Sequence, residues 1–284
     1  MVGAQTIVVH GATDGIGREV ALRLARKGRS VYASGSQRKA LEELRRDAHG
    51  LPLQTIQLNP TDPESVARFK TRINRGTQNL GPDVLVNNSG CEMENDGTES
   101  TGLRSMCTQL ERGLQGMVAL IGAFAPQMRV RGWGRIVNIC PTTGGVKALP
   151  PTVSRLCGDG AKAFSLAMGK ELSPFGVDVV YVEPMQLRSR NGHAAVEEKT
   201  DGRTEAHDDP GTALELVDPG VLVRAVEMAI GAKNPPGLWP AVRGDRLLAA
   251  VCSALGDRWA DQLVGLLGLV STIRGRRPTP GKSS

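Results

Sequence analysis

The sequence predicts a doubly wound α/β fold, a parallel sheet with helices on both faces, and three observations carry that prediction. Short apolar, β-branched segments alternate with amphipathic segments of 10 residues or more, the pattern of right-handed βαβ units. The first apolar segment runs directly into a glycine-rich loop and then into a helical pattern. The composition is 40% hydrophobic but only 3% aromatic, so the core is built from Val, Leu, Ile and Ala, as in sheets buried on both faces.

Residues 6–9 are apolar and β-branched and read as a buried strand. The glycine loop follows, and residues 18–27 carry apolar side chains at helical spacing. Residues 30–34 form a second short strand. Residues 38–48 are a charged amphipathic helix ending near Gly50. Residues 53–58 read as a third strand, and 63–75 as a third helix entered after Thr61 and Asp62. Residues 83–86 give a fourth strand and 101–130 a long helical pattern. Residues 135–139 give a fifth strand, 152–173 a fifth helix and 177–182 a sixth strand. Ligands of such sheets bind at the carboxyl ends of the strands, so the loops after strands one, four, five and six are where chemistry is sought.

Beyond Met185 the texture changes. Residues 188–215 are polar and charged and read as a mobile insertion. Residues 218–232 are helical again, 238–242 suit a last edge strand, and 247–269 carry Leu, Val and Trp at helical spacing. Core packing or a dimer face is expected of that last stretch, with a substrate cap or a membrane-surface helix as alternatives. The chain reads as one domain over 1–284. Its core spans 5–190 and 216–243, a C-terminal helical segment spans 245–272, and a disordered basic tail spans 274–284.

The formal net charge is +6. Much of it sits in the tail, at Arg274, Arg276, Arg277 and Lys282, and reads as solvated chain rather than a nucleic-acid footprint. The five cysteines (91, 107, 140, 157 and 252) are odd in number and widely spaced, so reduced thiols in a cytoplasmic protein are expected. The four histidines show no metal-ligand spacing. The N-terminus enters a strand at Thr6, so a signal peptide is not expected. No apolar run reaches the ~18 residues of a membrane span, so a membrane is not an expected partner.

The loop reads His10-Gly11-Ala12-Thr13-Asp14-Gly15-Ile16-Gly17. Glycines there let the backbone approach a pyrophosphate, and a helix N-terminus offers free N–H groups and partial positive charge. Further motifs follow in order. Asn87-Asn88-Ser89-Gly90 ends the fourth strand, and Gly134-Arg135-Ile136-Val137-Asn138-Ile139 forms the fifth. Glu171-Leu172 closes the fifth helix, and Glu183-Pro184 ends the sixth strand. Together they resemble the short-chain dehydrogenase/reductase family, whose patterns are T-G-x-x-x-G-I-G, N-N-A-G, G-R-I-V-N-I-S-S, a helix ending E-L, and E-P-G. The resemblance covers residues 5 to about 190 and implies a Rossmann-type fold.

It also implies a dinucleotide site. Gly11, Gly15 and Gly17 match the family's glycines, with Thr13, Asp14 and Ile16 between them. Asn88 matches its first-loop brace, and Ser89 and Gly90 follow. The second strand ends Ser34-Gly35-Ser36-Gln37-Arg38 with no carboxylate for a ribose 2′-hydroxyl. Ser36, Arg38 and Lys39 either face a 2′-phosphate, which favours NADP(H) over NAD(H), or form the solvated first turn of a helix. Three positions depart from the pattern. His10 stands for Thr. Asn59 stands for the Asp that faces the adenine in the family. Met185 stands for the Gly after Pro184, beside the expected nicotinamide face.

The family's chemistry uses a Tyr phenol as proton donor, a Lys one helical turn on, a Ser that orients substrate and an Asn that holds a relay water. From Ile139 to Glu171 the spacing matches the family without a gap. The Tyr position falls on Ser154, the Lys position on Gly158 and the Ser position on Pro141. The Asn position falls on Gly113. All four roles are vacant. The chain has only two tyrosines, Tyr32 and Tyr181, both inside expected strands. Lys162, one turn past Gly158, is expected to be solvated or at an interface. The weak substitutes near the strand ends are Cys140, Thr142 and Arg155, with Thr143, Cys157, Glu183 and His193 further candidates, none with an activating base beside it in sequence.

Three functions are carried forward. One is an enzyme of unconventional, non-redox chemistry (isomerase, cyclase or dehydratase) on a small molecule. Another is a non-catalytic subunit that dimerises through helices four and five with an active homologue, or forms homodimers or homotetramers. The third is an NADP(H)-dependent oxidoreductase with a displaced proton donor.

Overall fold

The computed structural model describes residues 5–88, 103–140, 151–184, 187–188, 214–215 and 219–241, with 103–113, 151–156, 184, 187–188, 214–215 and 240 as backbone only. Seven strands form one parallel sheet: β1 (Thr6–His10), β2 (Ser30–Gly35), β3 (Leu53–Gln57), β4 (Val84–Asn88), β5 (Gly134–Ile139), β6 (Val177–Pro184) and, after a short β7 and β8, β9 (Leu238–Ala241). Their order is β3-β2-β1-β4-β5-β6-β9. The order reverses between β1 and β4, which opens a crevice at the carboxyl ends of those strands.

Strand alternation sorts the core into two layers. Ile7, Val9, Val86, Val137 and Val180 pack on one face beneath α1 (Gly15–Arg26), α2 (Arg38–Asp47) and α6 (Pro219–Gly231). Val8, Leu85, Ile136 and Val179 face α3 (Pro63–Gly76), α4 (Leu103–Arg131) and α5 (Pro151–Leu172). Helix α3 starts where Asp62 accepts a hydrogen bond from the Glu64 N–H at 3.0 Å, with Pro63 in the first turn. That pairing satisfies an otherwise orphan donor and presets the helical φ.

The predicted strands and helices agree with these bounds to within a few residues. The insertion is bracketed by a two-residue antiparallel pair, β7 (Leu187–Arg188) with β8 (Leu214–Glu215), a feature the polar texture of 188–215 did not disclose. Residues 189–213, the C-terminal segment at 245–272 and the tail at 274–284 lie outside the described residues. No described helix is long and apolar enough to cross a membrane.

One thiol expectation is corrected. Cys157, buried on α5, is disulfide-bonded. Helix packing can bring together cysteines that sequence spacing leaves far apart. Cys140 is free and buried.

Candidate active site

The first loop shows why its glycines are glycines. Gly11 has φ +70°, and a Cβ there would fall 2.1 Å from the Asn88 carbonyl oxygen. A Cβ on Gly17 would fall 2.0 Å from the Gly11 carbonyl oxygen. No L side chain fits at either place. Asn88 Nδ2 donates to the Gly11 carbonyl at 3.0 Å, so the end of β4 braces the loop as the motif implied. Gly15 (φ +48°) has nothing within 4 Å of where its Cβ would be, and its open side lies at the head of α1. Asp14 caps α1 without a side-chain hydrogen bond, which leaves the first N–H groups of the helix available to an anion. The side chain of Thr13 is turned inward against Gly35, and Ile16 is half-buried against the core.

At the end of β2, Ser36 and Arg38 are exposed. Arg38 pairs with Glu42 at 3.0 Å while 80% exposed, so the guanidinium stays in solvent. Gln57 Nε2 donates to the Ser36 carbonyl at 3.0 Å and joins the ends of β2 and β3. Asn59 is exposed just beyond β3. Its Oδ1 accepts from the Thr61 N–H at 3.2 Å and from the Thr61 hydroxyl at 2.8 Å.

Behind this rim a row of polar residues crosses the sheet. Ser34, His10, Asn87, Asn138 and Tyr181 are register partners on β2, β1, β4, β5 and β6, and all are buried. His10 Nδ1 and Ser34 Oγ are 3.2 Å apart. Asn87 Nδ2 donates to Asn138 Oδ1 at 2.9 Å, and Asn138 Nδ2 donates to Ser165 Oγ at 2.9 Å. The Ser165 hydroxyl donates to the Ala161 carbonyl at 2.6 Å. Burial lowers the His10 pKa to about 4, so the imidazole is neutral at pH 7. The row was missed as a unit in the sequence, although each member stands next to or near the end of its strand.

Of the four positions expected for the tetrad, Gly158 is the one described beyond its backbone. Gly158 is buried on α5, and the Tyr181 hydroxyl donates to its carbonyl at 3.3 Å. Burial first, and then Cys140, Glu183 and Asp159, push the Tyr181 phenol well above its usual range. Tyr32 is buried too, and a Cβ on Gly76 would fall 2.0 Å from its hydroxyl. Cys140 is buried with its thiol pushed up to about 11, which disfavours the thiolate a nucleophile needs. Lys162, expected to be solvated or at an interface, has a partner within the chain. It is about one-third exposed, and its Nζ lies 2.7 Å from Glu183 Oε1, half-buried at the end of β6. That contact is tertiary and has no sequence signal. Gly113, Ser154, Arg155 and Pro184 are placed by backbone alone. Ser89, Gly90, Pro141, Thr142, Thr143, Met185 and His193 lie outside the described residues. No metal-binding cluster occurs among the described residues.

Comparison with known proteins agrees with this geometry. The model of the family described as short chain dehydrogenase matches residues 5–200. Human retinol dehydrogenase 16 is 30% identical over 180 residues, covering 63% of this chain and 55% of that protein. The chain thus spans about half the length of that relative. The NADP-dependent 3-hydroxy acid dehydrogenase YdfG of Escherichia coli is 27% identical over 178 residues, covering 63% of this chain and 71% of that one. A crystal structure of a short-chain dehydrogenase from Streptomyces avermitilis superposes with a TM-score of 0.65 at 22% identity, covering 97% of this chain and 99% of that one.

Proposed function

The chain belongs to the short-chain dehydrogenase family, and from that premise we propose that it binds NADP(H) along its glycine loop and acts on a small molecule without tyrosine-driven carbonyl reduction. The observation that carries this reading is the fate of the two tyrosines. Tyr32 is packed against Gly76, and Tyr181 is buried against the carbonyl of Gly158. Neither is placed to give a proton at the mouth of the sheet.

The residues present fit a dinucleotide. The braced glycines, the open side of Gly15 and the unsatisfied head of α1 would hold its diphosphate. Ser36 and Arg38, at a strand end whose residues 34–38 include no carboxylate, favour the 2′-phosphate form, with Arg38 shared with Glu42 of its own helix. The NADP-dependent relative supports the same choice. A bound nicotinamide ring supplies a hydride. What this chain lacks is the acidic hydroxyl that normally accompanies hydride transfer. Among the described side chains, Lys162 of α5 and Glu183 at the end of β6 form a pair available for proton movement. They suit isomerisation, cyclisation or dehydration, in which protons move and no net redox occurs.

A second reading is a non-catalytic subunit. Gly122 on α4 is exposed with open space beyond it, and Ala163 and Ala167 on α5 are exposed as well. Small residues there permit close packing of a second chain, either a copy or an active family member.

Calorimetric titration with NADPH and NADH, followed by a carbonyl screen for NADPH oxidation, tests the proposal. Micromolar NADPH binding, about −8 kcal/mol, with weaker NADH binding and no oxidation, is expected. Carbonyl-dependent oxidation that survives Lys162→Met and Glu183→Gln would favour an oxidoreductase with another donor. Binding of neither nucleotide would leave the subunit reading, tested by co-purification with an active member.

A further inference from the structure

We infer that the base end of the nucleotide site receives a 6-oxo purine at least as well as a 6-amino purine, and that Asn59 sets this preference. The inference rests on the dinucleotide reading above. A nucleotide whose diphosphate lies on the head of α1 and whose ribose passes the end of β2 carries its base toward the end of β3, the outer strand of that half of the sheet. The end of β3 is fixed there. The Leu58 N–H donates to the Gly35 carbonyl at 2.9 Å, and Gln57 Nε2 donates to the Ser36 carbonyl at 3.0 Å. Leu58 is buried. Asn59 is therefore the first residue past β3 whose side chain is exposed on this rim.

Its orientation is decided by chemistry. The Thr61 backbone N–H can only donate, and it meets the Asn59 side chain at 3.2 Å. The atom facing it must be the carbonyl oxygen, not the amide nitrogen. The Thr61 hydroxyl adds a second donor to the same oxygen at 2.8 Å. The backbone N–H of Asn59 is spent on Ser65 Oγ at 3.0 Å. What remains for a ligand is Nδ2, with two protons to give. The nearest carboxylate in sequence, Asp62, is engaged with the Glu64 N–H at 3.0 Å and with Arg68 at 3.5 Å.

A carboxylate at this place would accept from the 6-amino group of adenine. Asn59 presents donors to that donor, and adenine can answer only through a ring nitrogen. A 6-oxo purine offers O6, an acceptor that matches Nδ2 directly. Because discrimination by a polar group comes from leaving partners unpaired, the 6-amino group is not selected for and the 6-oxo group is.

The probes are NADPH and its hypoxanthine analogue, reduced nicotinamide hypoxanthine dinucleotide phosphate, titrated by calorimetry. The analogue is expected to bind as tightly as NADPH or more tightly. Asn59→Asp keeps the shape and both bonds from Thr61 but exposes an acceptor. It should tilt the ratio of the two affinities toward NADPH by about tenfold. The ratio is the readout, because a new negative charge near a 2′-phosphate weakens both ligands together. NADPH bound tenfold more tightly than the analogue, with no change in the ratio in Asn59→Asp, overturns the inference and leaves the dinucleotide reading standing. Binding of neither ligand overturns both.

Discussion

His10 stands where the family has a threonine, and its surroundings make it an acid-sensitive position. The ring is buried between Ser34 and α4, with Nε2 3.8 Å from where a Cβ on Gly116 would lie. Its folded-state pKa is about 4, against 6.5 for an exposed histidine, and burial is the cause. Below pH 6.5 the unfolded chain takes up a proton that the folded chain refuses. Stability is therefore full above pH 6.5 and falls as the pH drops toward 4. The loss approaches about 3 kcal/mol at 1.36 kcal/mol per unit. His10→Asn should flatten that part of the profile, measured by urea unfolding between pH 7 and pH 4; an unchanged slope would exclude His10 as its source. Gly158 gives a second residue-scale expectation. A lysine there gains about 0.7 kcal/mol or less of helix propensity over glycine but enters a buried position beside the Tyr181 hydroxyl. An ammonium buried without a partner costs several kcal/mol. Gly158→Lys should lower the melting temperature, and adding Tyr181→Ala should recover part of the loss. Additive losses in the double variant would show that the two positions do not interact.

At the scale of elements, the ends of helices matter most, and Arg135 closes one of them. Its Nη1 donates to the carbonyls of Ala229, Ile230 and Ala232 at 3.1, 2.6 and 2.7 Å, and its Nη2 reaches Asp178 at 2.8 Å. A cation at the carboxyl end of α6 satisfies orphan carbonyls and opposes the helix dipole. Arg135→Met should lower unfolding free energy by about 3 kcal/mol, measured by urea denaturation, and leave the glycine loop intact because Arg135 sits at the opposite end of the sheet. A loss below about 1 kcal/mol would mean that water replaces the cap. In the sequence Arg135 was visible only as a member of a motif, because a cap contributed from about 95 residues away follows from topology. The elements themselves were legible. Their apolar periods, glycine punctuation and the Asp62–Pro63 start are local signals. The Asn88 brace was also legible, since its motif fixes both strand and loop. The Lys162–Glu183 pair, the Cys157 disulfide and the polar row were not, because each depends on which helix or strand lies beside which.

For the whole molecule, the sheet divides at the crevice between β1 and β4 into halves that have fared differently. On the β1–β3 side the loop glycines are held by close contacts, the head of α1 is open and the β2–β3 rim is tied by Gln57. On the β4–β6 side the motif spacing puts Gly113, Pro141, Ser154 and Gly158 at the positions expected for the tetrad, and Met185 follows Pro184. The tetrad assignment rests on the sequence alone, on a spacing anchored on both flanks, whereas the close contacts of the glycine loop required the packing. If the first half carries recognition, the adenosine part of NADPH should supply most of its affinity. The fragment 2′,5′-ADP should then compete with NADPH at a Kd within about tenfold of it, a difference of about 1.4 kcal/mol. In a member that grips the nicotinamide ribose through a lysine, the whole dinucleotide gains more than its fragment. Displacement titrations with 2′,5′-ADP, 5′-AMP and NADPH decide the matter. A gap of a hundredfold or more between fragment and dinucleotide would mean that the second half still grips the nicotinamide, and Lys162 would be the first residue to replace in locating that grip.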